Sequence, residues 1–156
     1  MKTSVINSPL GFIKIIGNED GIFYLNFCDS LQESPEVATE FQNVVNQLQE
    51  YFAGSRREFT VKINPQGTIF QQKVWNLLQH TPYGSTLSYS QLAEQYGDPK
   101  ANRAVASANG KNPILIIIPC HRIISKDGGL GGFSAELWRK EWLLHHEQNC
   151  QQEQLF

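Results

Sequence analysis

The chain has 156 residues, of which 40% are hydrophobic, 11% aromatic and 18% charged; that composition can bury a core and excludes a disordered chain. A formal net charge of −2 argues against nucleic-acid binding through a broad basic surface, while leaving a local basic face open. No run approaches the ~18 apolar residues of a membrane span, and three scattered cysteines without CxxC or HxxxH spacing specify neither a disulfide framework nor a common zinc site.

The first residues, MKTSVINSPLG, lack the apolar core of a signal peptide, so a reduced, cytoplasmic protein is expected. Leu10–Ile16 and Gly21–Phe27 read as strands flanking Gly17-Asn-Glu-Asp-Gly21, a hairpin with a longer loop. Ser34 can N-cap the following helix and Pro35 suits its first turn. Val37, Phe41, Val44, Val45, Leu48 and Phe52 share one face, and Gly54 stops it. Phe59–Ile63 reads as a further strand, and Asn64-Pro-Gln-Gly67 punctuates the end of this half. Residues 1–65 are therefore expected to form a small α/β scaffold domain, and residues 66–156 a mostly helical second domain.

In that second domain Phe70, Val74, Leu77 and Leu78 outline an amphipathic helix. Ser88 can cap a short helix, Tyr89–Tyr96, ending at Gly97. Asp98-Pro99 then supplies an N-cap and a first-turn proline for another helix, which Gly110 should close. Two short helices around a tight turn are either an ordinary αα-hairpin or a helix-turn-helix whose second member presents Lys100, Arg103 and Lys111. Ile114–Ile118 reads as a buried extended run ended by Pro119. The glycine-rich Ser125–Gly132 loop could approach a planar ligand closely, and Ser134 can cap a last helix beginning at Ala135.

Cys120 emerges where the isoleucine run stops, beside His121 and Arg122. A free thiol is only a few per cent thiolate at neutral pH. A neighbouring imidazole could take its proton, held in turn by a carboxylate such as Glu147, with water bridging the thiol and the ring. Arg122 could instead tie the loop to carbonyls. Spacing alone leaves Cys120 open between inert core residue and nucleophile.

A longer pattern weighs on that choice. Pro119-Cys-His-Arg122 resembles the active-site motif of the O6-alkylguanine-DNA alkyltransferases, also called methylated-DNA–protein-cysteine methyltransferases. Phe70–Trp75, Pro82–Tyr89, Asn102–Val105, Ala108-Asn109, Asn112-Pro113, Gly131–Ser134 and Arg139–Leu144 resemble further family segments in family order, and Tyr51–Gly54 fits a weaker N-terminal pattern.

The resemblance implies an α/β (α+β) protein, with a ribonuclease-H-like N-terminal domain and a winged helix-turn-helix-like C-terminal domain. It implies that the helix-turn-helix enters the minor groove and that the damaged nucleotide is flipped into a pocket. Arg103 would fill the vacated space, with Lys100, Ala104 and Ser107 on the same DNA-facing surface. Tyr89 would assist flipping and donate to the guanine. Asn112 would support the site, and Ser134, Phe133, Ile123 and Gly132 would surround the base. Cys120 would be the alkyl acceptor, His121 its base and Glu147 the carboxylate partner. One irreversible turnover is expected, on double-stranded DNA containing O6-alkylguanine, with O4-alkylthymine a second candidate lesion, by a monomer without metal, S-adenosylmethionine or other cofactor. With only Cys28 and no histidine in residues 1–65, the N-terminal zinc site of some members is not expected.

Four positions depart from the family pattern: Ala106 and the pair Ala135-Glu136 replace common glycines, and Phe133 a common tyrosine. A non-catalytic alkyltransferase-like binding protein is the alternative, but such proteins lack the acceptor cysteine. A helix-turn-helix regulator would not need Glu147 or the glycine loop, and a cysteine hydrolase would turn over repeatedly.

Overall fold

The computed structural model describes residues 1–29 and 37–153, with side chains through residue 149. The chain divides into two compact units, Met1–Gln66 and Gly67–Phe156.

The first unit is built on an antiparallel sheet in the order β1 (Lys2–Ser8), β2 (Gly11–Asn18), β3 (Gly21–Cys28). Its opening strand, β1, has no counterpart in the expected elements. The β2–β3 turn is tighter than expected. Only Glu19 and Asp20 lie between the strands, the Asn18 side chain accepts from the Asp20 N–H at 2.9 Å, and Gly21 takes φ +122°. Alternating Ile13, Ile15 and Leu25 are fully buried, as is Leu48 of α1 (Gln42–Phe52). A 3₁₀ turn, Thr39–Phe41, leads into α1, and Val37 and Ala38 before it are not helical; Ser34 and Pro35, the expected start, lie outside the described residues. Phe59–Ile63 makes no strand. It touches the sheet through one parallel bridge, Ile63 to Ile22, and the Gln47 side-chain amide holds it at Thr60 with bonds of 2.7 and 2.9 Å. Gln47 is itself buried, so these bonds satisfy its amide as well.

The second unit begins with α2 (Ile69–Gln79), opened by a reciprocal capping box between Thr68 and Gln71. Trp75 lies in the core and donates Nε1–H to the Ala108 carbonyl at 2.9 Å, tying α2 to α4 (Asn102–Gly110). Gly67 makes room for that indole, since a Cβ there would come within 2.4 Å of the ring. Between them α3 (Tyr89–Tyr96) starts at the Ser88 cap and ends at Gly97 in the left-handed region, φ +104°. Asp98 caps the turn Pro99–Ala101 that leads into α4. These boundaries match the capping chemistry, except that Gly110 is the last residue of α4 rather than a left-handed cap.

Two short strands pair in parallel, β4 (Leu87–Ser88) against β5 (Ile123–Ile124), and this pairing has no local sequence signal. It brings the start of α3 alongside the segment that follows Cys120. Ile114–Ile118 is buried as expected but not extended. It coils through tight turns, with Ile117 N–H bonded to Leu115 O and Ile118 N–H to Ile114 O, and Ile116 sits at φ +71°. A β-branched residue there is strained. The last helix, α5, spans Leu137–Glu153, starting two residues later than a Ser134 cap implies, after Glu136 at φ +79°.

Candidate active site

Asn112 explains why the apolar run coils. Its Oδ1 accepts from the Ile114 N–H at 2.9 Å and its Nδ2 donates to the Ile118 carbonyl at 2.7 Å, so one buried side chain clips both ends of the loop. Pro119 follows, and Cys120, His121 and Arg122 form a single 3₁₀ turn whose three side chains are all buried. Asn112 also hydrogen-bonds the Cys120 thiol.

The α5 helix closes the site from behind. Lys140, Leu143, Leu144 and Glu147 are buried together at helical spacing, while Leu137, Trp138 and Glu141 are exposed. The core face of α5 thus carries a charged residue at each end. The Glu147 carboxylate receives His121 Nε2–H at 2.7 Å, Arg122 Nε–H at 2.8 Å and Arg122 Nη2–H at 3.1 Å. Arg122 Nη1 donates to the Thr81 carbonyl at 2.7 Å, which ties the turn to the end of α2. Arg122 therefore plays the structural part expected of it, and shares Glu147 with the histidine. Burial pushes the Glu147 carboxyl up, but His121 and Arg122 together outweigh it and hold the group well below the usual carboxylate range.

An ionised Glu147 fixes the histidine tautomer: the proton is assigned to Nε2, leaving Nδ1 as the basic atom. His121 Nδ1 is buried and has no hydrogen-bond partner among the described residues. The thiol is in the opposite situation. Burial pushes Cys120 up to about 11, opposed by the Asn112 hydrogen bond and the Lys140 charge. A thiol raised that far is almost wholly protonated at neutral pH, so reaction calls for a base.

A cavity of about 330 Å³ opens onto Cys120, lined by Tyr89, Ala106, Asn109, Gly110, Gly132, Phe133 and Ser134. Its size lies at the low end of small-molecule sites. The structure therefore brings Tyr89, Gly132, Phe133 and Ser134 together at the thiol. Ile123 does not line the cavity: it is fully buried in β5, where the strand pairing consumes it. The Tyr89 hydroxyl accepts from the Gly132 N–H, while burial, the larger effect, pushes the phenol above its usual range and keeps it protonated. Gly131, at φ +71°, packs against the Tyr89 ring, where a Cβ would lie 3.0 Å away.

Three lining residues were not anticipated as pocket residues. Ala106, Asn109 and Gly110 all come from α4, and the Asn109 side-chain Oδ1 is buried without a hydrogen-bond partner among the described residues. Lys140 was also missed. It is fully buried, donating Nζ–H to the Ile123 carbonyl at 2.6 Å and to the Gly132 carbonyl at 3.0 Å. The only available signal was its i, i+3, i+7 spacing with Leu143 and Glu147.

Lys100, Arg103, Ala104 and Ser107 are all exposed and follow the i, i+3, i+4, i+7 rule along one face of the Pro99–Gly110 segment, with Val105 and Ala108 on the other. Among the described residues, no group of three His, Cys, Asp or Glu side chains could hold a metal, and no helix is long and apolar enough to cross a membrane.

The DNA-binding domain of 6-O-methylguanine DNA methyltransferase matches residues 69–149, and the ribonuclease-like domain of the same family matches residues 1–65. A methylated-DNA–protein-cysteine methyltransferase of Methanosarcina acetivorans is 44% identical, the match covering 96% of this chain and 100% of the relative. One from Mycolicibacterium paratuberculosis is 42% identical, covering 92% of this chain and 90% of the relative. Among solved structures, the O6-methylguanine methyltransferase of Mycobacterium tuberculosis is similar with a TM-score of 0.84 at 41% identity, covering 93% of this chain and 91% of that one. A Mycobacterium tuberculosis relative in complex with DNA gives 0.85 at 40% identity, covering 94% and 92%.

Proposed function

The chain belongs to the 6-O-methylguanine DNA methyltransferase family, and on that premise we infer that it repairs duplex DNA by moving the alkyl group of O6-alkylguanine onto its own Cys120. The observation that carries this reading is a buried thiol on a base-sized cavity, backed by an imidazole with one free basic nitrogen.

The chemistry follows from the arrangement. His121 Nδ1 takes the thiol proton, directly or through one water, and Glu147 stabilises the imidazolium formed. The sulfur attacks the alkyl carbon, a C–S bond forms, and the C–O6 bond breaks with its electron pair leaving on the guanine. Tyr89, protonated and at the cavity wall, is placed to donate to that leaving base. The product is a thioether, which no thiol exchange reverses, so each molecule reacts once. Tight burial also protects the resting thiol, because a neutral sulfur reacts slowly with stray electrophiles.

The exposed face of α4 supplies the DNA contact, with Arg103 entering the duplex from the minor groove as the nucleotide leaves the stack. Few cations line that face, in keeping with the near-neutral chain and a shallow salt dependence. Cys120 in the acceptor position weighs against a non-catalytic damage-binding role. Titrating the protein with an O6-methylguanine duplex tests the reading: repair saturates at one equivalent. Continued turnover would point to a hydrolase instead, and no loss of the lesion at one equivalent would reject transfer altogether.

A further inference from the structure

We propose that Lys140 is a positioning residue for this transfer: its buried ammonium clamps the pocket rim to the segment after Cys120 and is the fixed positive charge against which the thiolate forms. The proposal rests on the reading of Cys120 as the acceptor.

A lysine is seldom fully buried unless a carboxylate accompanies it. Lys140 is 0% exposed, and its hydrogen bonds go to two carbonyls: Ile123 at 2.6 Å and Gly132 at 3.0 Å. The two carbonyls are informative. Ile123 directly follows the turn that carries Cys120, and Gly132 lines the cavity. One ammonium therefore spans the floor and the rim of the pocket. Gly132 is gripped on its other side as well, since its N–H is taken by the Tyr89 hydroxyl. The rim is thus fixed between a residue of α3 and a residue of α5, though Gly132 itself has no side chain to anchor it.

Charge makes the second half of the argument. Glu147, an anion, lies against the Arg122 guanidinium and the His121 ring, so its charge offsets the positive charge of that cluster. Tyr89 from α3 is neutral, and Lys126 and Asp127 are exposed in the loop. Lys140 is left as the cation that acts on Cys120: its charge pulls the thiol downward, and the thiol in turn pulls Lys140 upward against the burial that lowers it to about 8. A buried point charge keeps more of its strength than one on the surface.

The test reads Cys120 without DNA, so its failure cannot be confused with failure of the repair reading. The whole protein is treated with iodoacetamide across pH 6.5–10, and modification of the Cys120 peptide is followed by mass. In the unsubstituted protein, the log-rate profile is expected to bend below unit slope near pH 8 as Lys140 loses its proton. Lys140→Gln, which keeps a donor but no charge, should slow modification about tenfold at pH 7.5 and remove the bend. Lys140→Arg, which does not titrate in this window, should remove the bend while keeping most of the rate. A Lys140→Gln profile superimposed on that of the unsubstituted protein, with its thermal midpoint retained, would overturn the proposal. If Lys140→Gln does not fold, Lys140→Met carries the same comparison, and a modification rate at pH 7.5 equal to that of the unsubstituted protein overturns the proposal.

Discussion

Replacing Glu147 by Gln probes the charged cluster behind the nucleophile. The carboxylate is 1% exposed and accepts three hydrogen bonds, two of them on Oε2 and one on Oε1. An amide offers only one acceptor oxygen. Whichever way it turns, its NH₂ meets either the Arg122 Nε–H or the paired His121 and Arg122 donors, and Arg122 is left as an uncompensated buried cation. Removing one partner of a buried ion pair costs about 3–5 kcal/mol; the remaining acceptor places the expected loss at the lower end, about 3 kcal/mol. All three tryptophans, Trp75, Trp138 and Trp142, belong to the second unit, so urea unfolding followed by their fluorescence reads that unit alone.

The pH dependence supplies an independent check. Glu147 is depressed in the folded state, so its contribution is present above the unfolded carboxyl value, about 4.3, and is lost as pH falls through the folded value. The stability gap between parent and variant should therefore be constant above about pH 5 and narrow in acid. Single-turnover transfer should slow about 10²-fold, the loss of an oriented base. A gap under about 1 kcal/mol at pH 7, or one that widens at pH 3.5, would refute the reasoning.

Asn112→Ala removes both clips of the coiled loop and the thiol's hydrogen-bond partner, so a loss of about 2–4 kcal/mol is expected, together with transfer too slow to detect at one hour. Glu136→Gly relieves a side-chain-bearing residue in the left-handed region; thermal unfolding should show a gain of about 0.5–1 kcal/mol, since the Glu136–Trp138 bond that it breaks is exposed. Arg103→Ala should leave stability within about 0.5 kcal/mol while slowing repair of duplex DNA at least tenfold, with reaction toward the free modified base unchanged.

Local chemistry was the legible part of this fold. Ser88, Gly97 and Asp98 each act through bonds to residues two to four positions away, and Pro99 through its fixed φ, so the two short helices could be placed from the sequence. Ile114–Ile118 was misjudged because a β-branched apolar run favours strand, whereas the Asn112 side chain imposes a coil from outside the run. The β4–β5 pairing joins residues 36 positions apart and carries no periodicity, yet it decides that Tyr89 stands beside Cys120. Lys140 and Glu147 blurred the face of α5, because charged residues occupy its buried stripe. The roles of Cys120, His121 and Glu147 were read from family resemblance; adjacency alone left the thiol open between inert and reactive.

The central claim is that Cys120 accepts the alkyl group, and intact mass reads it most directly. After incubation with one equivalent of an O6-methylguanine duplex, the protein should gain one methylene unit, located on the peptide containing Cys120 and absent in Cys120→Ala. An unmodified mass with the thiol still reduced, or a gain that maps to Cys28 or Cys150, would contradict the account.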